Sequence, residues 1–170
     1  RTAEDLSLGQ YHSCSILDDG SAVCWGSNGY GQLGDGSIED SNAPVTVSLP
    51  PGRTATDIAL GDSHSCIIRT DSVAMCWGFN GYGRLGDGTT TFTNTPVTVS
   101  LPSGTASIAI EVGRFHSCAI TDSGSTMCWG FNGNGQLADG TTATSITPTA
   151  ATSMTTTLGI TNSVDTVYSI

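Results

Sequence analysis

Apolar and polar positions along this chain fall into short runs that never reach helical length. His12 to Leu17 and Ser21 to Gly26 are β-compatible runs split by the turn signal Asp18-Asp19-Gly20, and they predict a hairpin. Val45-Thr46-Val47-Ser48-Leu49 alternates with period two and predicts a third strand. Ala55 to Leu60, after Pro50-Pro51-Gly52, predicts a fourth. Gly and Pro recur too often for a helix longer than about two turns. The pattern is therefore one of short strands, four to a unit.

The unit repeats. His12-Ser13-Cys14 returns as His64-Ser65-Cys66 and His116-Ser117-Cys118, and Cys24-Trp25-Gly26 returns as Cys76-Trp77-Gly78 and Cys128-Trp129-Gly130, every time 52 positions later. Asn28-Gly29-Tyr30-Gly31 recurs at Asn80 and, with one change, at Asn132; Leu33-Gly34-Asp35-Gly36 recurs at Leu85 and as Leu137-Ala138-Asp139-Gly140. Divided at this period, the chain is expected to comprise repeats 1–60, 61–112 and 113–170. The last has a Thr-rich divergent second half running through Thr157 and a trailing strand in the register of a fourth copy. Four-stranded units of this length predict propeller-type blades, and three of them are incomplete as a closed propeller.

The ordered series Gly-x-x-His-Ser-Cys, then Cys-Trp-Gly-x-Asn-Gly-x-Gly-x-Leu-Gly-Asp-Gly, resembles the repeat of the regulator of chromosome condensation, over residues 5–148. In that family the repeats form a seven-bladed β-propeller, so the resemblance implies the blade fold. The Cys-bearing form looks like the bacterial secreted branch, whose repeats serve on cell surfaces or in secreted multidomain proteins. The nuclear member's nucleotide exchange depends on a wedge and loops that have no counterpart here, and that activity is not expected. Trp25, Trp77 and Trp129 occur one per repeat, and they look like blade-packing residues rather than the clustered tryptophans of the plant photoreceptor branch.

Charge narrows the partners. The chain has five Arg, no Lys and fifteen acidic residues, a formal charge of −10. A surface of that sign repels phosphate and argues against nucleic acid or anionic membrane. No apolar stretch approaches the ~20 residues that span a bilayer, so no membrane insertion is expected. A chain opening at Arg1, without Met or a hydrophobic leader, reads as a processed form or an excised piece.

Each repeat holds two Cys ten positions apart, with the midpoint (Asp19, Asp71 or Ser123) in the hairpin turn. Residues equidistant from a turn face each other across the two strands, which predicts the bridges Cys14–Cys24, Cys66–Cys76 and Cys118–Cys128. A zinc site built from His-x-Cys and Cys is the competing reading, but it lacks a short Cys-x-x-Cys or His-x-x-x-His element. Bridges imply an oxidising compartment, and hence an extracellular or cell-surface location.

His12, His64 and His116 could be bases or metal ligands. One residue type at one place in each copy instead suggests a recurring structural hydrogen bond and blade packing. Asp35, Asp87 and Asp139 are weak calcium candidates that could equally cap their own turns. The Thr141–Thr157 run reads as either O-glycan carrier or polar linker. No catalytic triad order or cofactor fingerprint occurs, so no cofactor and no enzyme are expected, with a hydrolase the least favoured possibility.

Two functions follow. The first is an extracellular structural protein that self-associates head to tail into a filament or surface layer, with Val164, Val167, Tyr168 and Ile170 as its assembly strand. The second is a protein- or glycan-binding module of a longer secreted adhesin or receptor, contacting its ligand through loop residues Tyr30, Tyr82, Phe79 and Phe131.

Overall fold

The computed structural model describes residues 1–152. Among these there are only strands and turns, in three four-stranded antiparallel sheets. The first sheet holds β1 (Ala3–Leu8), β2 (His12–Leu17), β3 (Ala22–Gly26) and β4 (Ser41–Thr46), side by side in chain order. The second holds β5 (Ala55–Leu60), β6 (His64–Arg69), β7 (Ala74–Gly78) and β8 (Thr93–Thr98); the third holds β9 (Ser107–Val112), β10 (His116–Thr121), β11 (Thr126–Gly130) and β12 (Ser145–Ala150). The three sheets do not close a ring.

The predicted hairpin is β2–β3, but two expectations need correcting. Ala55–Leu60, counted with the first copy, pairs with His64–Arg69 and opens the second sheet. The sheets therefore run 3–46, 55–98 and 107–150, offset from the division at 60 and 112. A repeat period sets the length of the unit and leaves its phase open. The strand expected at 45–49 begins earlier, at Ser41, and contains Pro44. Proline has no N–H to give a ladder, and it is accommodated because β4 lies at the outer edge of its sheet, as β8 with Pro96 and β12 with Pro148 do.

The hairpin register places Cys14 opposite Cys24, Cys66 opposite Cys76 and Cys118 opposite Cys128. Their sulfurs stand 2.08, 2.13 and 2.13 Å apart, and none of these six thiols is left free. A closed loop of this size restricts the unfolded chain by roughly 2–3 kcal/mol.

The apolar core lies between sheets rather than within one. Ile16, Leu33 and Val47 of the first unit pack with Ile58, Leu60, Ile67 and Trp77 of the second, and Ile68, Leu85 and Val99 of the second pack with Ile110, Ala119 and Trp129 of the third. This explains the differing burial of equivalent strands. The middle-sheet strand β6 is covered on both faces and loses its alternation, whereas Leu6 and Leu8, 57% and 68% exposed, correspond to Ile58 and Leu60 at 5% and 7%. Ile120 is 43% exposed where Ile16 and Ile68 are 3%.

Each joint is built the same way. The Trp77 indole N–H donates to the Gln32 carbonyl at 2.8 Å, and that of Trp129 donates to the Arg84 carbonyl at 2.8 Å. Both rings press against a glycine with positive φ; a Cβ on Gly34 would meet Trp77 Nε1 at 2.5 Å, and one on Gly86 would meet Trp129 Nε1 at 2.7 Å. Trp25 is only half buried, because no sheet precedes it among the described residues.

Candidate binding face

The loops after β3, β7 and β11 are pinned by buried asparagines. The Asn28 side-chain oxygen accepts the Leu33 N–H at 2.9 Å, and Asn80 and Asn132 do the same for Leu85 and Leu137 at 3.0 and 2.9 Å. Asp35, Asp87 and Asp139 each accept a backbone N–H two residues on, from Ser37, Thr89 and Thr141, all at 2.9 Å. The Thr141 N–H and hydroxyl hold the Asp139 carboxyl below its ordinary value. These carboxylates cap turns in three separate loops.

The pinned loops present aromatic rings in two groups, one at each joint. Tyr30 from the first unit meets Phe79 of the second with ring centroids 4.7 Å apart. Tyr82 meets Phe131 of the third at 5.1 Å and Phe115 at 6.0 Å, and Phe115 meets Phe131 at 6.2 Å. Tyr30 and Tyr82 remain 48% and 43% exposed. The four loop aromatics read from the sequence are thus brought onto one face, two by two, and Phe115 and Arg84 join them.

Arg84 fills the gap between the pairs. Its guanidinium carbon lies 4.8 Å from the Phe79 ring centre, 5.1 Å from that of Phe115 and 5.6 Å from that of Tyr82. The equivalent positions in the other copies are Gln32 and Gln136, whose side-chain oxygens fold back to accept the N–H of Tyr30 at 3.0 Å and of Asn134 at 2.9 Å. Arginine has no acceptor to offer its own loop. It instead donates from Nη1 to the Arg114 carbonyl at 3.2 Å, under the aromatic rings. Burial lowers its pKa from the usual value, and the nearby Asp62 carboxylate acts in the opposite direction.

His12 and His64 lie in the joints, whereas His116 is half buried on β10 of the last described sheet. His12 Nε2 stands 2.8 Å from Ser65 Oγ, and His64 Nε2 stands 2.9 Å from Ser117 Oγ. Such pairs invite comparison with a nucleophile and its base, but their proton directions exclude it. The single hydroxyl proton of Ser65 goes to the Gln32 carbonyl at 2.8 Å, and that of Ser117 to the Arg84 carbonyl at 2.9 Å. Each histidine must therefore donate from Nε2 and cannot take the serine proton. Burial pushes the His12 pKa down to about 4 and that of His64 well below the usual value. These are neutral cross-joint struts.

Phe115 and Arg84 escaped the sequence reading because the loops that meet here are some 30 residues apart and are joined only by sheet stacking. A position-by-position comparison of the copies carries the missing signal: Gln, Arg, Gln at 32, 84 and 136, and Tyr, Ser, Phe at 11, 63 and 115. The assembly residues Val164, Val167, Tyr168 and Ile170 lie outside the described residues.

Comparison with known proteins agrees with this architecture. A family profile described as the regulator of chromosome condensation (RCC1) repeat matches residues 19–68 and 76–120, and a second profile of the same description matches 4–32, 55–84 and 108–136. The chain is 34% identical over 145 residues to the ultraviolet-B receptor UVR8 of Arabidopsis thaliana, covering 84% of this chain and 33% of that protein. It is 33% identical over 135 residues to the human E3 ubiquitin-protein ligase HERC2, covering 79% of this chain and 3% of that one. It thus spans a third or less of either relative. Among solved structures, yeast RCC1 (Prp20), crystallised bound to Kap60, superposes with a TM-score of 0.80 at 22% identity, covering 91% of this chain and 38% of that one. Human WBSCR16 superposes with a TM-score of 0.78 at 20% identity, covering 88% and 37%. With the profile matched over more than half its length and the blade architecture present three times, this chain belongs to the RCC1 repeat family.

Proposed function

We propose that the chain is a protein-recognition module, secreted or displayed at a cell surface, whose contact area is the face formed by Tyr30, Phe79, Arg84, Tyr82, Phe115 and Phe131. The observation that carries this reading is the placement of these rings on one face, a group at each joint with the Arg84 guanidinium between them. Tyr and Phe rings exposed in part, braced by a rigid scaffold and packed about a buried Arg84, are the composition of interface anchors, and little side-chain entropy remains to be lost on binding. Protein is favoured over glycan by ring orientation. Neighbouring rings are tilted by 50–82° to one another, a corrugated surface that receives inserted side chains better than the flat face of a sugar. The three cross-strand cysteine pairs support the oxidising location.

The bacterial secreted type stays part of this proposal, and so does the absence of an enzymatic role. The test is retention of proteins from the native extracellular fraction by immobilised chain. The Tyr30→Ala/Tyr82→Ala variant is expected to lose at least tenfold of what the wild type retains while keeping its β-sheet circular dichroism. Equal retention by the two would overturn the proposal, as would binding to a glycan array that the same two substitutions abolish.

Head-to-tail self-assembly is a second reading, supported by the exposure of Leu6, Leu8 and Ile120, whose counterparts are buried in joints. Ala138 weighs against it. It stands at the place of Gly34 and Gly86 with a φ of 53°, so its methyl group occupies the space that an incoming indole would need. Growth by simple repetition of the internal joint is therefore disfavoured.

A further inference from the structure

Arg84 is 1% exposed, yet its Nε and Nη2 have no hydrogen-bond partner among the described residues. A buried cation with two idle donors is costly, since each lost its water without gaining an acceptor. The cost is not forced by the loop, because Gln32 and Gln136 complete the same turn in the other copies with an internal hydrogen bond. The carbonyl of Arg84, which receives the Trp129 indole and the Ser117 hydroxyl, is a backbone group that any residue would supply. The turn itself therefore gives no reason for a guanidinium at this position.

The idle atoms are not a random pair. Nη1 is engaged by the Arg114 carbonyl, which leaves the Nε–Nη2 edge, the side of the fork whose two parallel N–H bonds match the two oxygens of a carboxylate. On a chain of net charge −10, a second cation shares one of the rings over Arg84: the Arg114 guanidinium carbon lies 4.7 Å from the Phe115 ring centre. The nearby carboxylate, Asp62, is directed at Arg114, with Oδ2 3.5 Å from Arg114 Nε, and forms no hydrogen bond to Arg84. Asp62, Arg114 and Gln10 line an open groove along the same end of the sheets. Of the rings over Arg84, Tyr82 is the most exposed and has solvent to move into.

We propose that Arg84 is the specificity-determining residue of this face, a receptor for a carboxylate that the bound protein presents on an Asp or Glu side chain. The carboxylate takes the Nε–Nη2 edge as Tyr82 swings aside, and the surrounding rings receive the apolar residues that flank it. Low local polarity strengthens the pair once formed. This inference rests on the recognition face proposed above and adds the chemistry of the partner.

The test uses the full chain and acetate as the probe, so it does not depend on knowing the partner. With 15N-labelled arginine, the five Nε–H resonances are followed as acetate replaces chloride at constant ionic strength. The Arg84 signal is expected to shift saturably, and to a larger extent than those of exposed Arg1 and Arg53. Arg84→Gln, the residue found in the sister loops, is expected to remove that response and to melt about 2–4 °C higher, as release from an unpaired buried charge would produce. Arg84→Lys is expected to keep the charge but respond weakly, having lost the fork. An Arg84 resonance that moves no more than that of Arg1, or an Arg84→Gln variant that melts lower, would overturn the proposal. If Tyr30→Ala/Tyr82→Ala still abolished partner retention, the recognition face would stand without it.

Discussion

Replacing Trp77 with alanine is expected to cost about 3–5 kcal/mol in denaturant unfolding, in the range for a fully buried large aromatic side chain. Trp25→Ala should cost less than half as much. The two residues are equivalent in sequence, on the third strand of their sheets, each next to a bridged cysteine. They differ in what covers them. Trp77 is enclosed by the first unit, with its N–H on the Gln32 carbonyl and its ring against Gly34, whereas Trp25 lacks such a neighbour among the described residues. Substitution at Trp77 leaves a cavity in the joint and removes one of the two hydrogen bonds to the Gln32 carbonyl, the Ser65 hydroxyl keeping the other. Equal losses at the two positions would mean that the tryptophans stabilise their own sheets and not the joints between them.

Acidification is expected to weaken the fold well before carboxylates protonate. His12, held neutral by burial, has its pKa lowered to about 4, against an ordinary value of 6.5, and His64 is displaced further in the same direction. Above pH 7 both are neutral whether folded or unfolded, so stability there is independent of their titration. Between pH 6.5 and 4 the unfolded chain takes up protons that the folded chain refuses, and stability falls as the pH falls. At 1.36 kcal/mol per pKa unit, His12 alone accounts for about 3 kcal/mol across that window. His64 adds to the loss and extends it to lower pH. Denaturant unfolding at pH 7.5, 6, 5 and 4 measures this directly. A profile flat from pH 7.5 to 5 would contradict the buried, Nε2-donating assignment.

The amount of this that could be read from the sequence depended on how local each feature is. The hairpin and its cross-strand cysteines were legible because a turn between two short runs fixes which residues face each other, as with Cys14 and Cys24 about Asp19. The sheet boundaries were not, since Ala55–Leu60 could join the strand before it or the one after it, and only pairing with His64–Arg69 decides. The aromatic loops were singled out as binding candidates, but their fusion into one face needed the stacking that sets Tyr30 on Phe79 and Tyr82 on Phe131. Arg84 was hidden by the repeat itself. Attention to what recurs favours His, Cys, Trp and the loop aromatics, whereas Arg84 and Phe115 stand where the copies differ. For His12 and His64 the serine hydroxyl directions fit the structural role read from their recurrence, a signal that lies outside the sequence.

The central claim, that the aromatic face is where another protein binds, is most directly tested by photo-crosslinking from two ends of the molecule. A photoreactive phenylalanine is placed at Tyr82, or at Ser123 in the turn of the β10–β11 hairpin. That hairpin carries Phe115 and Phe131 at its open end and Ser123 at the opposite tip. Illumination in the native extracellular fraction should give discrete crosslinked proteins from position 82 and none of the same species from position 123. Crosslinks to the same proteins with equal yield from both positions, or from 123 alone, would contradict the account.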